Sequence, residues 1–246
     1  MGDPPRDDSR LPEAIGHAAG GGVDRSALPR LAKTAVASMR AAGAGAVAGG
    51  QWLAETLIDA APHIPLRDLA TIQEHHGGLG GAALAGELIR NAARTTAAIG
   101  AATGALAGAE ELSPPTWVAL PLELVVETLV VAAIEMKLVA ELHEVYGPPV
   151  PGRGSDRALA LAQAWAERRG VTADRLTSGG GLGEVLGRGT RNEVVRVVRR
   201  RLMRRTLRNA SSLAPFLIGA VAGAELNRRA TASLGEAIVR DLAARR

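Results

Sequence analysis

The chain has 246 residues, 47% of them hydrophobic, which is enough to bury a sizeable core and excludes disorder of the whole. Aromatic residues make up only 2% and cysteine is absent, so disulfides, thiolate nucleophiles and zinc-finger ligand sets are excluded together. The formal net charge of +4 conceals a segregation: between residues 187 and 209 lie nine arginines against one acid, Glu193, which leaves the remainder of the chain net acidic.

The first residues, Met1-Gly-Asp-Pro-Pro-Arg-Asp-Asp, are acidic and proline-rich where an export signal is basic and then apolar, so a cytoplasmic protein is expected. Residues 1–24 read as a mobile, disordered tail that ends in Gly20-Gly21-Gly22. From Ser26 to about Asp59, Leu28, Leu31, Val36 and Met39 recur at helical spacing, and Gly43 to Gly50 is expected to kink or interrupt the run. This 25–60 stretch is expected as a helical extension in front of a helical domain over 61–246.

Pro62 and Pro65 stop that helix, and a short amphipathic helix follows from Leu66 to His76, closed by Gly77-Gly78. The next helix runs over Ala82 to Ala109. After the Ser113-Pro114-Pro115 turn comes the most hydrophobic helix, which Gly147-Pro148-Pro149 ends. A surface helix over Asp156 to Arg169, a loop-rich stretch to Gly189, an arginine helix over Asn192 to Leu207, and a final helix over Leu213 to Leu242 complete the chain. No strand-like alternation is present, so the fold is expected to be all-α, a compact multi-helix bundle with a mobile N-terminal tail.

Three stretches spell nearly the same five residues: Gly45-Ala-Val-Ala-Gly49, Gly104-Ala-Leu-Ala-Gly108 and Gly219-Ala-Val-Ala-Gly223. Gly100 extends the second into a longer ladder. Glycines four apart fall on one side of a helix and let a neighbour approach closely, while each costs about 1 kcal/mol of helix propensity relative to Ala. Gly45, Gly49, Gly100, Gly104, Gly108, Gly219 and Gly223 are therefore expected at close helix contacts, in the manner of a glycine zipper.

No window supplies the roughly 18 to 20 charge-free apolar residues of a spanning helix. Trp117 to Ile134 has the length, but Glu123 and Glu127 interrupt it. With Lys137, Glu141 and Glu144 they trace one helix face, read here as the wet stripe of an amphipathic core helix. Peripheral association with a membrane is expected in preference to spanning.

Few residues suggest chemistry. His75 and His76 are adjacent and point about 100° apart, so they do not form an i, i+4 metal pair, and they read as solvated residues at a helix C-terminus. Neither Glu-x-x-His nor His-x-x-x-His occurs, Lys33-Thr34 lacks the preceding glycine of a phosphate loop, and Gly181-Leu-Gly183 lacks dinucleotide-binding spacing. No cofactor or metal is expected. The arginine helix is the strongest interaction candidate, with Val194, Val195, Val198 and Leu202 on one side and Arg196, Arg199, Arg200, Arg204 and Arg208 on the other. It reads either as a solvated face paired with acids elsewhere or as a surface for anionic lipid head groups. Nucleic acid is disfavoured, because scarce aromatics provide no stacking platforms.

Three pieces carry a resemblance to a known family: residues 92–104 (Ala-Ala-Arg-Thr-Thr-Ala-Ala-Ile-Gly-Ala-Ala-Thr-Gly), the helix end Leu138 to Gly147, and Leu213 to Asn227 with its Pro215, Gly219, Asn227 series. From about Leu66 to Leu242 the order of elements resembles the bacterial EcsC family, named for a protein encoded beside an ABC transporter. The resemblance implies a helical domain with membrane association and no assigned enzymatic activity. The expected function is thus a non-enzymatic protein on the inner face of the cell membrane, partnered by anionic lipid or a membrane protein. Two alternatives stay open: a soluble structural or interaction module, and, more remotely, an enzyme using Glu123, Glu127 or His143.

Overall fold

The computed structural model describes residues 10–20, 27–48, 50–106, 122–147, 150, 152, 154–168, 195, 196, 198, 199, 202 and 216–244. Among these residues no strand occurs, and the architecture is an all-α bundle.

Helix α1 (Arg10–Ala18) falls inside the stretch expected as a disordered tail, and that expectation is corrected for residues 10–20. Leu11 and Ile15, one turn apart, are buried together. A Cβ at Gly16 would lie 2.5 Å from His63 Cβ, so the helix docks tightly on a later turn. Nine residues are too few to be helical alone, so docking stabilises α1 where propensity does not, which is why its helicity is hard to read locally.

Helices α2 (Ala27–Ala42), α3 (Ala44–Ala48) and α4 (Gln51–Ala60) replace one long helix. The breaks fall at Gly43 and Gly50, whose φ values of 85° and 70° are left-handed. Gly45 sits in α3, exposed, and a Cβ added there would meet nothing within 4 Å. The expected close contact at Gly45 is therefore not formed, because the flanking glycines cut the helix before it can present that face. Leu28, Leu31, Ala35 and Met39 of α2 and Leu53 and Leu57 of α4 do the packing instead. Trp52 Nε1 donates to Ser38 Oγ at 2.9 Å and ties α4 to α2.

A 3-10 turn (Ala61–His63) with Pro62 in its first turn leads through extended Ile64 to α5 (Leu69–His75). Four further described helices follow: α6 (Gly81–Leu106), α7 (Leu122–Tyr146), α8 (Gly154–Arg168) and α9 (Phe216–Ala244), of which α6, α7 and α9 are the longest among the described residues. Helix α7 is the axis of the bundle, with α1, α2, α4, α5, α6, α8 and α9 all packed on it. Every residue from 124 to 142 is buried, as befits a helix apolar nearly all round. The N-terminal helices share this core, since Leu28, Met39, Leu57 and Val130 belong to one apolar cluster.

Central placement also corrects the reading of the charged stripe on α7. Glu127, Lys137 and Glu141 are buried rather than wet. The side chain of Glu123 lies outside the described residues.

Candidate functional site

Helices α6 and α9 run antiparallel: Ile89 meets Gly235, Thr96 meets Thr231, and Gly100 meets Gly223. A Cβ at Gly100 would lie 2.7 Å from Asn227 Nδ2 and 3.0 Å from the Gly223 carbonyl oxygen, so only glycine fits. At Gly235 it would come within 2.5 Å of Ile89 Cγ1. This second close approach has no glycine partner four residues away on either side, which is why the sequence pattern missed it.

Bare backbone at this seam admits a buried polar ladder. Asn227 Nδ2 donates to Glu127 Oε1 at 2.6 Å and to the Thr96 carbonyl at 3.4 Å. Thr231 donates to Glu135 Oε1 at 2.9 Å and accepts from Thr96 Oγ1 at 3.1 Å. Trp165 Nε1 of α8 donates to the other oxygen of Glu135 at 3.0 Å. Each bond joins α7 to another helix or braces one that does, so Glu127 and Glu135 fix register. Glu127 and His143 are about 24 Å apart along α7, and His143 Nδ1 donates to the Val139 carbonyl at 2.8 Å. The structure does not bring these two together as one acid–base site.

Further along the same side of α7 a cleft of about 440 Å3 opens, walled by the end of α1, the segment before α5, and helices α5, α6 and α7. Its floor is the pair Lys137 and Glu141, with side chains 10% and 5% exposed. Lys137 Nζ donates to Glu141 Oε1. Arg67 reaches the same oxygen with Nε at 2.9 Å and Nη2 at 2.8 Å. Two cations thus share a single carboxylate oxygen. Burial pulls Lys137 below the usual lysine range, the Glu141 charge and hydrogen bond oppose that pull, and the nearby Arg67 charge adds to it.

Local structure explains how the remaining walls are placed. Asp68 caps α5 by accepting from the Thr71 N–H at 2.9 Å, and hydrogen bonding from Thr71, first through its side chain and then through this N–H, holds the Asp68 carboxyl below the ordinary range. Arg67 precedes that cap, in a segment kept out of helix by Pro65. At the other end, Gly78 N–H donates to the Gln73 carbonyl at 2.8 Å and Gly77 N–H to the Glu74 carbonyl at 3.3 Å. This Schellman closure needs the left-handed φ of 65° at Gly77, and it sets His75 and His76 on the cleft wall. His75 Nδ1 donates to the Thr71 carbonyl at 2.7 Å, so its Nε2 is the nitrogen that can accept or, once protonated, donate elsewhere.

From α6, Asn91, Arg94 and Thr95 complete the wall. Glu87, a further acid on α6, is bonded to Arg90 at 2.6 Å; that bond chiefly lowers its pKa, with charges on Arg90, Arg94 and His76 assisting. Among the described residues the cleft is therefore lined by two arginines, one lysine and two histidines against one carboxylate. Two other grooves, of about 340 and 290 Å3, are walled largely by alanine and carry no comparable charge.

Of the residues singled out in the sequence, Arg196 is exposed and Arg199 half-buried in a helical segment whose Val195, Val198 and Leu202 are buried. Arg200, Arg204 and Arg208, with Gly49 and Gly108, lie outside the described residues. Gly104 is in α6 and Gly219 in α9, but their surroundings also lie outside the description. The sequence reading missed the cleft. The i, i+4 spacing of Lys137 and Glu141 inside the most apolar helix was its one legible signal; Arg67, 74 residues from Glu141, carries none. No group of three or more potential metal ligands occurs among the described residues. No family model matches the chain, and no curated protein or solved structure matches it.

Proposed function

We propose that this protein is a non-enzymatic helical module that attaches to an anionic membrane surface, or to a membrane protein there, from the cytoplasmic side. The observation that carries the reading is the cleft in which Arg67 and Lys137 share Glu141 while Arg94 stands at the wall. A concave site short of negative charge attracts an anionic group, and basic residues near an anionic bilayer contribute about 1 kcal/mol each. The arginine-rich segment 187–209 adds to the same attraction.

Attachment in this reading is electrostatic. No described helix is long and apolar enough to cross a membrane. Val221 and Leu226 are 73% and 50% exposed, but they project about 140° apart around α9 and so form no shared insertion patch. The non-enzymatic part rests on Glu127 and Glu135 being engaged in interhelical bonds. Membership of the EcsC family is part of the proposal. It is supported by Asn227, which carries the resemblance in sequence and bridges α9 to α6 and α7.

Flotation of the purified full chain with phosphatidylglycerol vesicles and with neutral phosphatidylcholine vesicles tests this. Binding to the anionic vesicles alone, lost at about 1 M salt where the screening length is about 3 Å, is the expected result. Charge reversal at Arg199, Arg200 and Arg204 is expected to weaken it. A chain that stays in solution with every vesicle at low salt leaves the soluble-module reading in its place.

A further inference from the structure

We infer that the cleft between α5, α6 and α7 is a receptor site for a phosphomonoester-type dianion, and that Glu141 is the internal anion with which such a ligand competes for Arg67 and Lys137. The inference rests on the anionic-surface reading for its membrane arm only; a free phosphate compound is the other source of the same group.

Charge count is the first argument. Among the described residues Arg67, Arg94 and Lys137 face one carboxylate, so their lining of the cleft holds two positive charges in excess and matches a dianion better than a monoanion. Donor geometry is the second. A guanidinium has five N–H donors and an ammonium three, and Glu141 Oε1 alone takes two of the former and one of the latter. Tetrahedral oxyanions accept several such donors at once, and arginine suits them. The amide of Asn91 adds a neutral donor on the wall, while the Thr95 hydroxyl one turn on donates to the Asn91 carbonyl at 2.8 Å.

Size and lining narrow the ligand further. A volume of about 440 Å3 lies within the range of small-ligand sites and exceeds what phosphate alone fills, so an esterified polar head fits beside it. Among the described residues no Phe, Tyr or Trp lines the cleft, which removes the large stacking platforms that a nucleobase uses. A compact phosphomonoester, free or as a lipid head group, is the chemistry that remains.

Calorimetric titration of the full chain with inorganic phosphate, followed by flotation with phosphatidic acid vesicles, tests this. Phosphate binding that weakens about tenfold in Arg94→Gln and tightens about tenfold in Glu141→Gln is expected. Arg94 is exposed, so its variant keeps the test open if Glu141→Gln does not fold. Saturable binding indifferent to both changes, or no heat at any phosphate concentration, overturns the cleft site. Flotation on phosphatidic acid that free phosphate displaces identifies the lipid head group as ligand. Phosphate binding without flotation supports the cleft and refutes membrane attachment. Flotation unaffected by Arg94→Gln and by phosphate does the reverse.

Discussion

Two glycines that share the same spacing of four to a second glycine have opposite roles. At Gly100 the missing Cβ is what lets Asn227 and the Gly223 carbonyl sit against α6, so Gly100→Ala is expected to lose about 1–3 kcal/mol through forced displacement. Gly45→Ala, in an exposed helical site with open space, is expected to gain up to about 1 kcal/mol. Urea denaturation of the two variants checks both signs in one experiment. The sequence shows a glycine every fourth residue in each case; whether a partner backbone lies opposite is settled by distant segments. Charge behaves similarly. Hydrogen bonds from Arg228 and Arg229 bring Glu225 down to about 2. Its contribution is full above the ordinary value of 4.5 and lost as pH falls through about 2. The difference in thermal midpoint between wild type and Glu225→Gln should therefore shrink between those values, and at neutral pH it should fall with added salt, since the group is exposed.

At the scale of elements, α7 shows how an apolar helix can be central and still carry charge. The sequence reading placed Glu127, Lys137 and Glu141 on one wet face, because an acid every turn normally marks solvent. In the bundle that face meets α6, α9 and the segment before α5, and each group is given a partner. Thr231→Val removes the hydroxyl that links Thr96 to Glu135, and Asn227→Ala removes the amide that reaches Glu127. Each is expected to lower stability by about 1–3 kcal/mol, measured by urea denaturation. Lys137 supplies a pH test. A base depressed in the folded state contributes most when deprotonated, fully above its ordinary value of 10.5 and progressively less as pH falls through the folded value. Raising pH from neutral towards 10.5 should therefore raise the urea midpoint of wild type relative to Lys137→Met.

For the whole molecule, the central fact is that a charge imbalance lies on a concave surface assembled from four parts of the chain. Arg67 comes from a proline-held linker, the histidines from a glycine-closed helix end, Arg94 from α6, and the Lys137–Glu141 pair from α7. The sequence by itself determined the all-α class, the breaks at Gly43 and Gly50, the long apolar helix and the lack of a spanning segment among the described helices. These follow from periodicity, capping and composition, which are local and survive in a one-dimensional reading. Only the tertiary structure decided that α1 is docked, that Gly100 rather than Gly45 meets a neighbour, and that Arg67 and Lys137 converge on Glu141. Those outcomes depend on which faces meet across tens of residues, and burial, which sets the strength of every charge here, is a property of that meeting alone.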